Sequence, residues 1–429
     1  MSRLSQTAAR PPQQTSLPSD LDASGRSFGP EELAALQAVL EGGTLAGAAD
    51  GVVRQLESEL AATFGSRFAY ASSSGTSALH AAVAAVDPEP GDEIVCAPLT
   101  QISSLSPILY QGAIPVFADV DPETGNVTAA TLRAKISERT RAIVVTHLFG
   151  KPCPMDGILQ LARAHDLPVI EDCSQAFLAT SGHQFVGTLG AIGCFSLEQE
   201  MHMTCGEGGF VITDNERFAR RMCLFINERW EADAGGADRD FLALDSRLSE
   251  LQGAVALAQL QKLSAGVVQR IRLAEEMRIQ LEGTPGLSLP RTAPGERHTY
   301  WRLCLTVDPQ EVPGGPHAVA AQLREVGIPS APGYLRKPAF ETQLFQEQRT
   351  FGRSRFPFSL ARPEALDWSR DGYPGTYQAH SEMLVLPWNE RLTCEHVRSI
   401  AEALKRSVRH LRDRAQQERG VALASGSAS

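Results

Sequence analysis

From Ser72 to Thr213 the chain alternates short continuous apolar runs with stretches whose apolar positions recur every three to four residues. The runs "EIVCAPL", "IPVFADV", "RAIVVTHLF", "LPVIEDC", "GCFSL" and "GGFVIT" are rich in β-branched residues, the pattern of strands covered on both faces. The intervening helical stretches supply the covering layers. The expectation is an α/β fold: a three-layer large domain with a mainly parallel sheet, and ligands at the carboxyl ends of its strands. Upstream, "SFGPEELAALQAVLEGG" and "VVRQLESELAATFG" read as helices closed by glycine, the first with Pro30 in its opening turn. Downstream, "SRLSELQGAVALAQLQKLSAGVVQRIRLAEEMRIQLEG" reads as one long helix leaving the large domain. "TYWRLCLTVD", "HAVAAQLREVGIPS" and "CEHVRSIAEALKRSV" then predict a smaller C-terminal α+β domain.

The predicted organisation is a disordered segment over 1–26, a large domain over 27–270, a small domain over 271–413 and a disordered tail over 414–429. Both ends are rich in small and polar residues and bury too little apolar surface to repay ordering. Two irregular segments, 228–241 and 350–377, read either as lids and binding loops or as surface insertions.

A length of 429 residues suffices for two domains and a large core without disulfides. The eight cysteines form no CxxC pair and no metal-ligand spacing, which points to a reducing cytoplasm and to no metal site. A net charge of −10 with no basic stripe argues against a nucleic-acid partner. The first residues carry no apolar signal core, and no run of 18 apolar residues occurs, so neither secretion nor a membrane span is expected. A soluble protein acting on a small molecule fits this composition.

"SSSGTSAL" is a small-residue turn opening a helix, where free backbone N–H groups can hold an anion or the hydroxyls can merely cap. "VIEDCSQA" places Asp172 at the end of a buried strand. There a carboxylate needs a cationic or hydrogen-bonding partner, or serves as a cap, and Gln175 falls near the same strand end. "GEGGF" lacks the spacing of a dinucleotide fingerprint and reads as a tight turn entering "FVIT".

In order and spacing, "SSSGTSAL", "PGDEIVCAPLTQ", "GAIPVFADVDPETGNV", "RAIVVTHLFGKPCPMD", "LPVIEDCSQA", "GCFSL", "GEGG", "SRLSELQGAVALAQL" and "LVLPWNERLT" resemble the DegT/StrS-type sugar aminotransferase family, from about residue 27 to about 410. These are fold type I enzymes dependent on pyridoxal phosphate (PLP) that usually aminate nucleotide-linked keto sugars or aminocyclitols. The resemblance implies a homodimer with shared active sites. It implies that Gly75 and Thr76 form the phosphate-binding turn, that Ser196 also reaches the phosphate, that Asp172 pairs with the pyridine nitrogen, and that Gln175 lies beside the ring hydroxyl. His298, Tyr300 and Trp301 match a segment near the active site, with a core-strand role the alternative for Tyr300 and Trp301.

Three positions depart from the family. Without a gap, Met201 stands where the Schiff-base lysine belongs, and a thioether can neither form an imine nor shuttle a proton. Gln101 replaces the ring that commonly stacks on the cofactor, and Asp245 replaces an asparagine that reaches the phosphate of the neighbouring subunit. The reading is a divergent member acting in specialised sugar, aminocyclitol or natural-product biosynthesis, incapable of ordinary lysine-dependent transamination and repurposed for another small-molecule reaction. In it, Glu198, Glu200, His202, Gln101 and Asp245 make a polar pocket, and the cofactor is PLP, pyridoxamine phosphate (PMP) or none. Three alternatives stay open. One is a PLP- or PMP-dependent sugar dehydratase-like enzyme with His202 as base, following a branch of the family that has histidine instead of lysine. The second is a noncatalytic dimeric partner or scaffold, and the third an engineered Lys-to-Met exchange at Met201 in an ordinary aminotransferase. Glu200 and His202 lack a third metal ligand.

Overall fold

The apolar runs of the large domain pair into one sheet. A computed structural model describes residues 17–47, 50–227 and 242–426. Its principal sheet contains β1 (Phe68–Ser72), β2 (Glu93–Cys96), β3 (Ile114–Phe117), β4 (Thr140–Thr146) and β5 (Val169–Asp172). After a short hairpin of β6 (Thr180–Ser181) and β7 (Gln184–Phe185), β8 (Ile192–Ser196) and β9 (Gly209–Thr213) complete it. The strand order is β1-β9-β8-β5-β4-β2-β3, with β9 antiparallel to both neighbours and the remaining pairs parallel. β1 was not among the predicted runs, since "FAYAS" has no β-branched residue and alternates half-buried with buried positions.

Both faces are covered, which explains the continuous apolar runs. Along β4, Val144 joins a cluster with Ala78, Ala82 and Val83 of the helix Gly75–Val86, while Ile143 and Val145 join Ile158 and Leu161 of the helix Met155–Ala164. β2 splits in the same way, Ile94 to one face and Val95 to the other. The helix Glu250–Leu281 is capped by Ser249, whose Oγ accepts the Gln252 N–H at 3.3 Å. Its first half contributes Ala256, Leu263 and Val267 to the core beside β8 and β9, and its second half Leu273, Met277 and Leu281 to a separate core. That second core lies on an antiparallel sheet, ordered β10-β11-β13-β12, of β10 (Leu287–Ser288), β11 (Arg302–Val307), β12 (Ala331–Pro332) and β13 (Met383–Pro387). The position near 270 therefore falls inside one rigid helix that serves both cores.

The segment 350–377 packs against the large sheet. Phe358 and Tyr373 share a cluster with Phe117 of β3 instead of closing the small domain. The segment 228–241 lies outside the described residues. Among the described residues, no helix is long and apolar enough to cross a membrane.

Residues 17–26 and 414–426 correct the expectation of disorder, while 1–16 and 427–429 lie outside the described residues. Over 17–26, Leu17 packs on the small-domain core, Pro18 O accepts from Asn389 Nδ2 at 3.0 Å, and the side chains of Asp20 and Arg26 are each 1% exposed. Asp20 Oδ2 lies 2.6 Å from Arg302 Nη1, and Oδ1 lies 3.9 Å from both Arg26 Nη2 and Arg270 Nη2. Composition undercounts such a segment because its anchoring comes from buried charge. At the other end, one helix runs from Cys394 to Gly426. Its "RDRAQQER" stretch is made largely of good helix formers, and Arg414 Nε pairs with Glu418 at 2.9 Å, one turn on.

Replacing Asp20 by Ala strands the guanidiniums of Arg26, Arg270 and Arg302 without their shared carboxylate. The expected loss of unfolding free energy is about 3 kcal/mol, read by urea denaturation. A loss below about 0.5 kcal/mol would show that the segment is not anchored by this group.

Candidate functional site

The carboxyl ends of β5 and β8 face the N-terminus of the helix Gly75–Val86 across a cavity of about 340 Å³. Gly75 is there for closeness: a Cβ on it would lie 2.6 Å from Ser196 Cβ, so only glycine lets the helix start meet the end of β8. Ser74 caps that helix, its Oγ accepting the Ser77 N–H at 3.0 Å. Gly75, Thr76 and Ser196 thus line one end of the cavity.

Asp172 closes the floor at the last position of β5, 4% exposed. Its partners are hydroxyls: Ser104 Oγ donates to Oδ2 at 2.6 Å, and Ser174 donates to Oδ1 from Oγ at 2.7 Å and from N–H at 3.1 Å. Gln175 accepts the Phe149 N–H at 2.7 Å and donates to Tyr334 Oη at 2.8 Å. Burial pushes the Tyr334 hydroxyl well above its usual range, against hydrogen bonds from Gln101 and Gln175 that pull it down. The position expected to carry a stacking ring therefore carries an amide bonded to a phenol. Tyr334, set edge-on to Phe149 and Trp301 at 5.1 and 6.2 Å, is a wall residue that the sequence did not reveal. "APGYLRK" carries no periodicity or motif that points to it.

The turn after β8 forms the opposite wall, where Glu198, Glu200 and Met201 line the cavity. It is gripped by its carbonyls. Arg26 donates to Met201 O at 2.8 Å and to Gln199 O, and Trp301 Nε1 donates to Glu200 O at 2.8 Å. Arg302 pairs with the Glu200 carboxylate, and Glu198 accepts the Glu200 N–H at 3.0 Å. Burial raises the Glu198 pKa from its ordinary value, opposed by the Glu200 N–H and aided by the nearby Glu200 and Glu207 charges.

Three predicted residues are placed elsewhere. His202 turns away from the cavity into the core beside Phe177, its Nε2 bonded to Thr299 O at 3.0 Å, and burial followed by the Arg270 charge drives its pKa well below normal. A neutral ring committed to a backbone carbonyl does not serve as a base for a ligand in the cavity. His298 is 3% exposed, stacked on Tyr300 at 3.8 Å and bonded to Phe149 O at 3.2 Å; burial lowers its pKa to about 3. Of the "HTYW" residues, Trp301 alone lines the cavity, and Tyr300 joins the small-domain core. Asp245 pairs with Arg247 at 2.8 and 2.5 Å and lines no part of the cavity of its own chain.

Among the described residues, His147, Glu171 and Cys173 form a group with metal-ligand atoms within 4.8 Å of one another. These atoms are already committed. His147 Nε2 meets Glu171 at 2.9 Å and its Nδ1 accepts the Cys153 N–H at 3.0 Å. The other Glu171 oxygen accepts from the Leu189 and Gly190 N–H groups at 2.9 and 2.6 Å.

The site fits one half of PLP and not the other. The helix start with Ser196 suits a phosphate and Asp172 suits a ring nitrogen. At the other end, no lysine, arginine or histidine among the described residues lines the wall, which carries Met201 and the carboxyl groups of Glu198, Glu200 and Glu207.

Comparison with known proteins is consistent across sequence and structure. Residues 27–405 match the model of the DegT/DnrJ/EryC1/StrS aminotransferase family. The chain is 35% identical over 297 residues to a UDP-N-acetyl-3-dehydro-alpha-D-glucosamine 3-aminotransferase of Acidithiobacillus ferrooxidans, covering 69% of this chain and 77% of that one. It is 30% identical over 384 residues to the L-glutamine:scyllo-inosose aminotransferase of Streptomyces griseus, with 85% and 88% covered. An aminotransferase structure from Psychrobacter cryohalolentis superposes with a TM-score of 0.79 at 28% identity, over 90% of this chain and 98% of that one.

The two buried histidines give a pH signature. Their pKa values are depressed in the folded protein and rise to about 6.5 on unfolding, so the unfolded chain binds more protons below that pH. Stability is expected to fall as pH drops from 6.5 towards 5, each ring contributing up to about 1.4 kcal/mol per pH unit. Urea denaturation of the His202→Gln, His298→Gln double variant should show a flatter slope. An unchanged slope contradicts the placement of both rings.

Proposed function

The chain belongs to the DegT/DnrJ/EryC1/StrS aminotransferase family, and on that premise we propose that it is a divergent member in which lysine-dependent transamination has given way to another small-molecule reaction. Its relatives include sugar and aminocyclitol aminotransferases of specialised biosynthesis, and that is the metabolism in which we place it. The observation that carries the reading is Met201 on the cavity wall, in a lining set without any lysine.

In the family, PLP supplies an aldehyde that captures an amine and a ring that absorbs electrons. Because the anchoring half does not fit, the chemistry proposed here rests on the chain's own groups. Glu198, half-buried and held towards its protonated form by burial, is the group suited to give or take a proton at the ligand. Gln101 and the Tyr334 hydroxyl it bonds offer neighbouring amide and phenol groups to orient ligand hydroxyls, and the Trp301 indole forms an apolar wall that excludes water. The position of His202 gives the dehydratase-like alternative no base. We place the protein in the cytoplasm as a homodimer, with Asp245 directed to the site of the second subunit.

The test is a spectroscopic titration of the purified chain with PLP, beside Met201→Lys alone and combined with Gln101→Phe and Asp245→Asn. The unmodified chain is expected to show no saturable imine band and the lysine-restored triple variant to show one. An internal imine in the unmodified chain, with amino transfer to a keto sugar at the rate of an ordinary family member, overturns the reading.

A further inference from the structure

One hydrogen-bond chain on the cavity wall runs in a single direction. It starts at Phe149, a non-glycine residue held in the left-handed region at φ 58°. The turn around it is pinned on both sides by Asn126, whose Oδ1 accepts the Leu148 N–H at 3.1 Å and whose Nδ2 donates to Lys151 O at 2.9 Å. The Phe149 carbonyl accepts the Trp301 N–H at 2.9 Å and lies 3.2 Å from His298 Nε2. So fixed, Phe149 presents its own N–H to Gln175 Oε1 at 2.7 Å.

A backbone N–H can act as a donor alone, so this bond settles the orientation of the Gln175 amide. Its oxygen is turned to Phe149, and Nε2 therefore donates to Tyr334 Oη at 2.8 Å. Burial keeps the proton on the phenol; against it, the bonds from Gln101 and Gln175 pull the pKa down, the effect of N–H groups that donate to the oxygen. The Tyr334 oxygen thus accepts from both amides, which leaves the phenol its O–H to give. Among the described residues, no group accepts that proton. Asp172, whose charge acts on the phenol, takes its own bonds from Ser104 and Ser174. Phe149 and Trp301 stand edge-on to the ring at 5.1 and 6.2 Å and hold its plane where Tyr334 lines the cavity. A partly buried O–H without a protein acceptor is left for whatever fills the cavity.

We propose that Tyr334 is a specificity-determining residue whose hydroxyl donates to an uncharged acceptor oxygen of the ligand, with Phe149 and Gln175 as the positioning residues that set it to donate. This role deepens the lysine-free reading, on which it rests for the cavity being a ligand site, by naming the kind of atom that one wall group selects. A ligand group that can act as a donor alone would face the O–H proton and leave it unmatched. An anionic oxygen would meet the charge of Asp172, which acts on the same phenol.

The test follows 4-hydroxycyclohexanone and cyclohexanol, which differ by the carbonyl oxygen, on the full-length protein, on Tyr334→Phe and on Gln175→Glu. Dissociation constants are read by ligand-detected NMR, and the C=O stretch of the isotope-labelled ketone by infrared difference spectra. The preference for the ketone over cyclohexanol is expected to be about fivefold larger on the unmodified protein than on Tyr334→Phe, the scale of one neutral hydrogen bond. The bound C=O stretch should move to lower frequency on the unmodified protein and not on Tyr334→Phe. Gln175→Glu replaces the donating amide with an acceptor at nearly constant volume, so the phenol gives its proton to residue 175, and both the preference and the shift should fall. A merely packing role for Tyr334 predicts no such change. Melting temperatures check the fold of each variant, and either variant carries the test if the other does not fold. No binding of the ketone to the unmodified protein, an equal preference on the unmodified protein and Tyr334→Phe, or a C=O shift that survives Gln175→Glu overturns the proposal. The two readings fail separately. An imine with added PLP in the unmodified chain sinks the lysine-free reading while leaving the Tyr334 donor standing, whereas loss of the ketone preference without an imine sinks only the role of Tyr334.

Discussion

Asp20 is a carboxylate 1% exposed, with Arg302 at 2.6 Å and Arg26 and Arg270 at 3.9 Å, and each arginine leads to a different part of the molecule. Arg270 sits on the long helix shared by both cores and pairs with Glu390 at 2.8 Å, in the segment after β13. Arg302 opens β11 of the small-domain sheet. Arg26 holds the turn after β8 by two carbonyls. One buried negative charge thereby ties the segment before the first helix, the domain-crossing helix, the small sheet and the cavity wall into one electrostatic unit. Such a hub adds little net stability over an apolar replacement, but removing any one partner is expensive, so it specifies geometry more than it adds energy.

The geometry it specifies is that of the Glu198–Met201 turn. Because Arg26 and Trp301 bind this turn by its carbonyls, Glu198, Glu200 and Met201 remain on the cavity. The next residue, His202, lies behind the turn in the core. A family fold built to hold a covalent cofactor has here kept its helix start, its floor carboxylate and the serine at the end of β8. The wall facing them carries carboxylates and the Met201 thioether. The frame suits a phosphate and a ring nitrogen, whereas the wall facing it is acidic.

The fold was legible wherever burial wrote itself into residue type. β4 reads as "RAIVVT" because Val144 faces one helical layer and Ile143 and Val145 the other. β1 escaped because "FAYAS" has no β-branched residue. Residues 17–26 and 414–426 depart from the expected disorder because low hydrophobicity stood for disorder: the first are held by charge and the second by helix propensity. At the site, Gly75, Thr76, Gln101, Asp172, Gln175, Ser196, Glu198, Glu200 and Met201 come together, since ordered motifs fix which strand ends converge. His202 and His298 do not join them, because adjacency along a turn says nothing about which way a ring points. Tyr334 and Arg26 lie far from these motifs in the chain, and only tertiary contacts reveal them.

The central proposal is that this family member holds no covalent cofactor anchor at its cavity. It is tested most directly by a crystal structure of the unmodified protein grown with PLP. The account predicts no continuous density joining any side chain of the cavity to the aldehyde carbon, with the Met201 thioether standing free beside Glu198 and Glu200. Density running unbroken from a side chain to the cofactor above Asp172 would contradict it.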